Sequence, residues 1–251
     1  LLPGRSLAKV LAEDGRMPVE RIAKIGSQIA KALIAAHSEG VVHRDLKPDN
    51  VIVMDIPGER DFIKVLDFGI ARFVDETQAQ QLTTEGAVIG TPAYMSPEQV
   101  QGTPPDLRTD LYALGIILFE MVTGQVPFSA PTTLSLIVKH IKDAPPRPSD
   151  LAPNVPPKLE RLILKCLEKD RDARPADAAE VVRELEALAQ SATTTVDLAP
   201  KPKRTALWVG LGLAVTAAIA IGAWALTSPG HTPDDTSPKR LYPQFTQLTP
   251  A

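Results

Sequence analysis

The sequence predicts a mainly α domain of the α+β class, followed by one membrane-crossing helix. Three observations lead there. Apolar residues recur at three- and four-residue steps through most of the chain up to residue 189, the mark of helices with one buried face. Two short runs rich in β-branched residues, VIVM (51–54) and FIKVL (62–66), interrupt that pattern in a single place. Residues 206–226 contain no charged side chain; at about 1.5 Å rise per residue they make a helix of about 32 Å, enough to span a hydrocarbon core.

In chain order, residues 18–39 form the first expected helix. Pro18 suits a first turn, Ile22, Ile25, Ile29, Ala32 and Leu33 make the apolar stripe, and Gly40 ends it. The two β-like runs are separated by the turn-rich DIPGERD. Residues 70–98 have no sustained period and read as a long loop, a length more often functional than structural. DLYALGIILFEMVTG (110–124) is apolar nearly all round and is expected as a buried central helix. A shorter amphipathic helix covers 132–142. Leu159, Leu162, Ile163, Cys166 and Leu167 make a further helical stripe, and Val181, Val182, Leu185 and Leu188 the last. The expected division is a folded domain over 1–189, a polar linker over 190–205, the membrane helix over 206–226 and a disordered tail over 227–251.

The chain has 251 residues and a net charge of −3, so charge gives no case for nucleic acid as a partner. The single Cys166 excludes an intramolecular disulfide, sits on an apolar stripe and reads as inert core. His37, His140 and His231 are scattered and suggest no metal site. Trp208 and Trp224 flank the membrane segment, and KPKR (201–204) precedes it. That basic run favours placing residues 1–205 in the cytoplasm and the tail outside. Ala206, Gly210, Ala214, Ala218 and Gly222 recur every four residues, a small-residue stripe that would let two such helices pair into a homodimer.

The chemistry concentrates in VVHRDLKPDN (41–50), where Asp45, Lys47 and Asn50 fall within six residues. DFG (67–69) follows, and GTPAYMSPE closes the long loop. Together, in this order, these motifs resemble the eukaryotic-like (Hanks-type) serine/threonine protein kinases of bacteria, over roughly residues 1–189. The stretch is similar to the C-terminal lobe of the protein-kinase-like fold.

The resemblance implies transfer of the γ-phosphoryl group of Mg·ATP to protein Ser or Thr, with ATP and Mg²⁺ as cofactors and protein substrates as partners. Such a transfer needs positioning and charge neutralisation more than covalent help. Asp45 would orient the substrate hydroxyl and accept its proton. Lys47 would offset charge on the transferred group. Asn50 and Asp67 would supply the hard oxygens that Mg²⁺ prefers, and Gly69 would let the backbone turn. Thr91 would meet Asp45 and Lys47 through its hydroxyl. Glu98 would pair with Arg174 in a buried ion pair. Asp110, expected at the start of the apolar helix, would cap it and brace the catalytic loop. Arg44 would receive a phosphate on the loop, with Thr83 the first candidate and Thr84 the second. His43 reads as a packed structural residue.

No Gly-rich loop and no strand Lys of the kind that holds ATP phosphates occurs in the sequence. It therefore reads as beginning partway through a kinase, with little activity expected of this stretch alone. The rival expectation is a non-catalytic, pseudokinase-like membrane scaffold that holds a partner protein. A ligand-sensing role for the short Pro-rich tail is disfavoured.

Overall fold

The computed structural model describes residues 4–68 and 92–196, with side chains as far as residue 190. Two compact units divide the chain, residues 1–198 and 199–251, and the second lies wholly outside the described residues. Among the described residues no helix is long and apolar enough to cross a membrane; the 206–226 segment is outside them.

The first element is a two-residue strand, β1 (Arg5–Ser6), running directly into α1 (Leu7–Asp14). Ser6 caps α1 by accepting a hydrogen bond from the backbone N–H of Lys9 at 3.2 Å. The sequence does not announce this helix: LAKVLAED spans barely two turns, too short for its period to stand out. Then comes α2 (Val19–Ser38), which buries Ile22, Ile25, Ile29 and Leu33, the stripe expected from the sequence.

The strands β2 (Val51–Ile56) and β3 (Glu59–Val65) form a hairpin, and β1 adds to its other edge in the order β1-β2-β3, all antiparallel. Val51, Val53, Ile63 and Val65 alternate onto the buried face. The pairs Val51–Val65, Ile52–Lys64, Val53–Ile63 and Met54–Phe62 hold one register; between Met54–Phe62 and Ile56–Glu59, β3 carries one more residue than β2. Asp61, at φ 51°, takes up the surplus, and its N–H donates to Asp55 Oδ1 at 3.0 Å.

The rest is helical. A short α3 (Pro97–Val100) precedes α4 (Leu107–Thr123), which is buried on nearly every side. After α4 come α5 (Thr133–Lys142), the single turn α6 (Pro148–Leu151), α7 (Pro157–Cys166) and α8 (Ala178–Val196). Gly124 ends α4 in the left-handed conformation (φ 77°), where its N–H reaches Glu120 O at 2.7 Å. Gly115 sits where α4 meets α7: a Cβ there would stand 2.6 Å from Cβ of Cys166, so only glycine permits that approach.

Three boundaries differ from expectation. The end of the long loop is ordered, with a 3₁₀ turn at Pro92–Tyr94 and then α3, because Ser96 and Gln99 form a capping box over a Pro-started turn. The helix α4 begins a turn early, at Leu107, and Asp106 is its cap, accepting from Arg108 N at 2.8 Å. The helix α8 runs on to Val196, into the stretch read as linker.

Candidate active site

The hairpin brings the two ends of the site together. Asn50 immediately precedes β2 and Leu66 immediately follows β3, and antiparallel pairing sets them side by side. Leu66 N donates to Asn50 O at 2.8 Å, continuing the ladder one step past the strands. Asp67 is the next residue, exposed, with φ 59°.

Between α2 and β2, the loop 41–50 alternates its side chains. His43, Leu46 and Pro48 turn inward, while Asp45 points out with 52% of its side chain exposed. The inward residues anchor the loop; the outward ones converge. Lys47 Nζ lies 2.8 and 3.1 Å from the two carboxylate oxygens of Asp45. Asn50 Nδ2 donates to Asp45 O at 2.8 Å and to Asp45 Oδ2 at 3.2 Å. The amide nitrogen of Asn50 is thereby committed to Asp45, which leaves its Oδ1 as the oxygen available to a ligand. The structure thus brings Asp45, Lys47 and Asn50 into one bonded group, with Asp67 one residue beyond the Asn50–Leu66 bond.

Below the loop, Asp110 is 1% exposed. Its Oδ2 accepts from the backbone N–H of His43 at 2.8 Å and from His37 Nε2 at 2.8 Å; its Oδ1 accepts from Arg44 N at 2.9 Å. The cap and the brace expected together at Asp110 are separate: Asp106 caps α4, and Asp110, inside the first turn, serves the loop. His37 is therefore no stray histidine but the imidazole donor that completes this carboxylate's partners.

His43 is buried, as expected of a structural residue. Leu66 O can only accept, so Nε2 of His43 carries the proton it donates there at 2.8 Å; Nδ1 then accepts from Asp45 N at 3.3 Å. Phe68 packs edge-on against the ring, with centroids 4.8 Å apart. One imidazole thus ties the loop before Asp45 to the strand end before Asp67.

Arg44 sits at φ 67°. Left-handed backbone at a residue with a Cβ costs about 1–3 kcal/mol, so the surroundings must impose it. Asp110 holds its N–H, and Gln99 Nε2 donates to its carbonyl at 2.6 Å. Nothing local in the sequence marks Gln99 as a partner of this loop. The only signal was its place three residues after Ser96, which marks a capping box and no more.

The predicted pair of Glu98 and Arg174 is bidentate, at 2.8 and 2.9 Å, with side-chain exposures of 7% and 0%. Thr109 Oγ1 donates to Glu98 Oε1 at 2.8 Å. The remaining guanidinium N–H groups reach the carbonyls of Glu168, Arg108 and Lys169, and the Tyr112 ring lies 4.9 Å from Cζ. Burial alone would push the Glu98 carboxyl up, but the Arg174 bonds and charge outweigh it and hold it at about 2.

Nearby, Tyr94 donates to Glu120 Oε2 at 2.7 Å. Burial pushes the Tyr94 hydroxyl well up, and burial likewise raises Glu120, with Asp49 adding to it. Behind α4, His140 is fully buried against Phe128, its Nδ1 on Tyr112 OH at 3.0 Å. Burial, with Lys169 beside it, lowers that imidazole to about 4. Gly69, Thr83, Thr84 and Thr91 lie outside the described residues.

The family model for the protein kinase domain matches residues 1–185 of this chain. The chain belongs to the protein kinase domain family. Among curated relatives, a probable serine/threonine-protein kinase of Clostridium acetobutylicum is 45% identical over 182 residues, covering 72% of this chain and 27% of the relative. A serine/threonine-protein kinase of Myxococcus xanthus is 41% identical over 217 residues, covering 81% and 40%. One of Streptomyces coelicolor is 36% identical over 239 residues, covering 94% and 42%. The chain thus spans between 27% and 42% of the length of these relatives. Within the protein kinase domain, HRDLKPDN falls on the loop described above, and Asp67 and Phe68 of DFG follow the end of β3.

Proposed function

We propose that the chain is the helical catalytic lobe of a membrane-anchored serine/threonine protein kinase. The reaction is transfer of the γ-phosphoryl group of Mg·ATP to a Ser or Thr hydroxyl of a protein. The observation that carries it is the group formed by Asp45, Lys47 and Asn50, held on a braced loop beside Asp67. The relatives' names as serine/threonine kinases support the same class.

Asp45 is the outward carboxylate, placed to orient the substrate hydroxyl and take its proton. Lys47, already beside Asp45, neutralises charge that builds on the transferred group. The donor set fits Mg²⁺: Asn50 Oδ1 and the exposed Asp67 carboxylate are hard oxygens, two from protein with phosphates and water to complete the shell. Bound Mg·ATP supplies the phosphoryl group and the cation that spreads its charge. Glu98 and Arg174 fix the described stretch that follows Thr91 in the sequence. Arg44 receives a phosphorylated Thr83 or Thr84.

The uncharged 206–226 segment anchors the protein once in the membrane, with the kinase part cytoplasmic and the 227–251 tail outside. Its small-residue stripe supports a homodimer in which one kinase domain phosphorylates the other.

The test is phosphate transfer from γ-labelled ATP with Mg²⁺ by the full-length protein purified from its membranes. Transfer by the wild-type protein to Ser or Thr, lost in Asp45→Asn, is the expected result. No transfer by the wild-type protein would leave the scaffold reading in its place. Protease added outside intact cells should remove the tail and spare the kinase part; the reverse pattern would overturn the orientation.

A further inference from the structure

We propose that Gln99 is a positioning residue for the reaction: with Asp110, it clamps the backbone of Arg44 in the left-handed conformation that aims Asp45. The inference rests on the kinase reading above for its link to catalysis, but not for its geometry.

Arg44 lies outside any helix or sheet ladder, so its backbone polar groups need other partners. Each is taken by a side chain from a different element. The N–H goes to Asp110 on α4 at 2.9 Å and the C=O to Gln99 on α3 at 2.6 Å. The peptide unit between Arg44 and Asp45 is thus held at both ends, its oxygen by Gln99 and its N–H by His43 Nδ1 at 3.3 Å. The orientation of that plane sets where the Asp45 side chain starts.

The Gln99 amide has one orientation that works. Its Oε1 accepts from Ser96 N at 3.0 Å while Nε2 donates to Arg44 O. Turned over, it would set acceptor against acceptor at Arg44 and donor against donor at Ser96. Gln99 therefore links the Ser96–Glu98 segment, which Arg174 fixes, to the residue before Asp45. A second duty is visible, since Ser96 and Gln99 also cap α3. The experiment must separate the two.

Gln99→Met is made in the wild-type, Arg44→Ala and Arg44→Gly backgrounds. Hydrogen exchange is followed at the amides of residues 43–46 in this chain, and kcat and KM for ATP are measured in the full-length protein. A clamp works against strain, and glycine has no such strain to hold. Gln99→Met is expected to speed exchange at Asp45 and to lower kcat by about fivefold to tenfold, with KM little changed. The effect should persist with Arg44→Ala and fall below about twofold with Arg44→Gly. Equal effects in the alanine and glycine backgrounds would overturn the clamp and leave Gln99 as a helix cap alone. Ser96→Ala removes a cap acceptor and keeps the Arg44 bond, so kcat should stay within about twofold; a loss as large as that of Gln99→Met would also overturn it. If the wild-type protein transfers no phosphate, the kinase reading fails, while the exchange rates in the three backgrounds still decide the clamp.

Discussion

Asp45 and Glu98 are both carboxylates with a basic side chain at 2.8 Å, and in almost every other respect they are opposites. Asp45 is half exposed, and its partners Lys47 and Asn50 come from its own loop. Glu98 is buried, and its partner Arg174 stands far along the chain, with each guanidinium N–H engaged. Burial and a guanidinium with every N–H engaged make a joint, because Arg174 has no donor left for anything else. Asp45 accepts as many side-chain bonds as Glu98, so exposure is what leaves it open, as a reagent, to the substrate hydroxyl proposed for it. A carboxylate beside a basic side chain thus stands in two settings within one domain, and what separates them is solvent access, the choice of ammonium or guanidinium and the distance the chain travels between partners.

The largest test of that contrast replaces each carboxylate in turn. Asp45→Asn should lower phosphoryl transfer by about 10²- to 10⁴-fold while leaving the urea unfolding midpoint of the domain unchanged. Glu98→Ala should do its damage to folding. It leaves Arg174 buried without its counter-charge, and the loss should be about 3–5 kcal/mol by urea denaturation. A double change of Glu98 and Arg174 to methionine should recover much of it, since no charge then remains to be solvated. If Asp45→Asn unfolds the domain, or Glu98→Ala leaves its stability intact, the division into reagent and joint is wrong.

Titration sharpens it further. The Glu98 carboxyl is held at about 2 in the fold, against 4.5 for the free side chain. Its stabilisation is therefore full above pH 4.5 and is lost as pH falls toward 2. His140 works through the same linkage at higher pH. Its folded value is about 4 against 6.5, so below pH 6.5 the unfolded chain binds a proton that the folded one refuses, and stability falls until about pH 4. Urea midpoints measured from pH 3 to 8 should show both limbs. Glu98→Gln should flatten the lower limb and His140→Gln the upper. The smallest effect is at Cys166, whose thiol is pushed to about 12 by burial. A thiol reagent at pH 8 should leave it unlabelled in the native protein and label it once urea is added.

The motifs made both the Asp45 cluster and the Glu98–Arg174 pair legible as places in the sequence. HRDLKPDN and DFG are local: the chemistry lies within a few residues, and its order along the chain shows through without a structure. The helix over 18–39 was equally plain, because a long stripe of Ile and Leu has an unmistakable period. The partners of Asp110 were not. His37 and His43 lie 73 and 67 residues away, and nothing periodic links them. Asp106 and Asp110 both stand near the start of an apolar run, so the sequence alone could not say which caps it. Gln99 was hidden for the opposite reason: the capping box explained its presence well enough that a second bond, 55 residues back to Arg44, left no mark.

The hairpin also divides into a working end and a spare one. Asn50 and Asp67 sit at its open end, fixed by an unbroken register from Val51–Val65 to Met54–Phe62. The surplus residue at Asp61 and the Pro57–Gly58 turn lie at the other. For anyone building a reporter into this lobe, that turn is the permissive door, because extra length there is absorbed before it reaches the register. An epitope inserted between Pro57 and Gly58 should leave phosphate transfer intact; the same epitope after Val65 would carry Asp67 away from Asn50 and silence it.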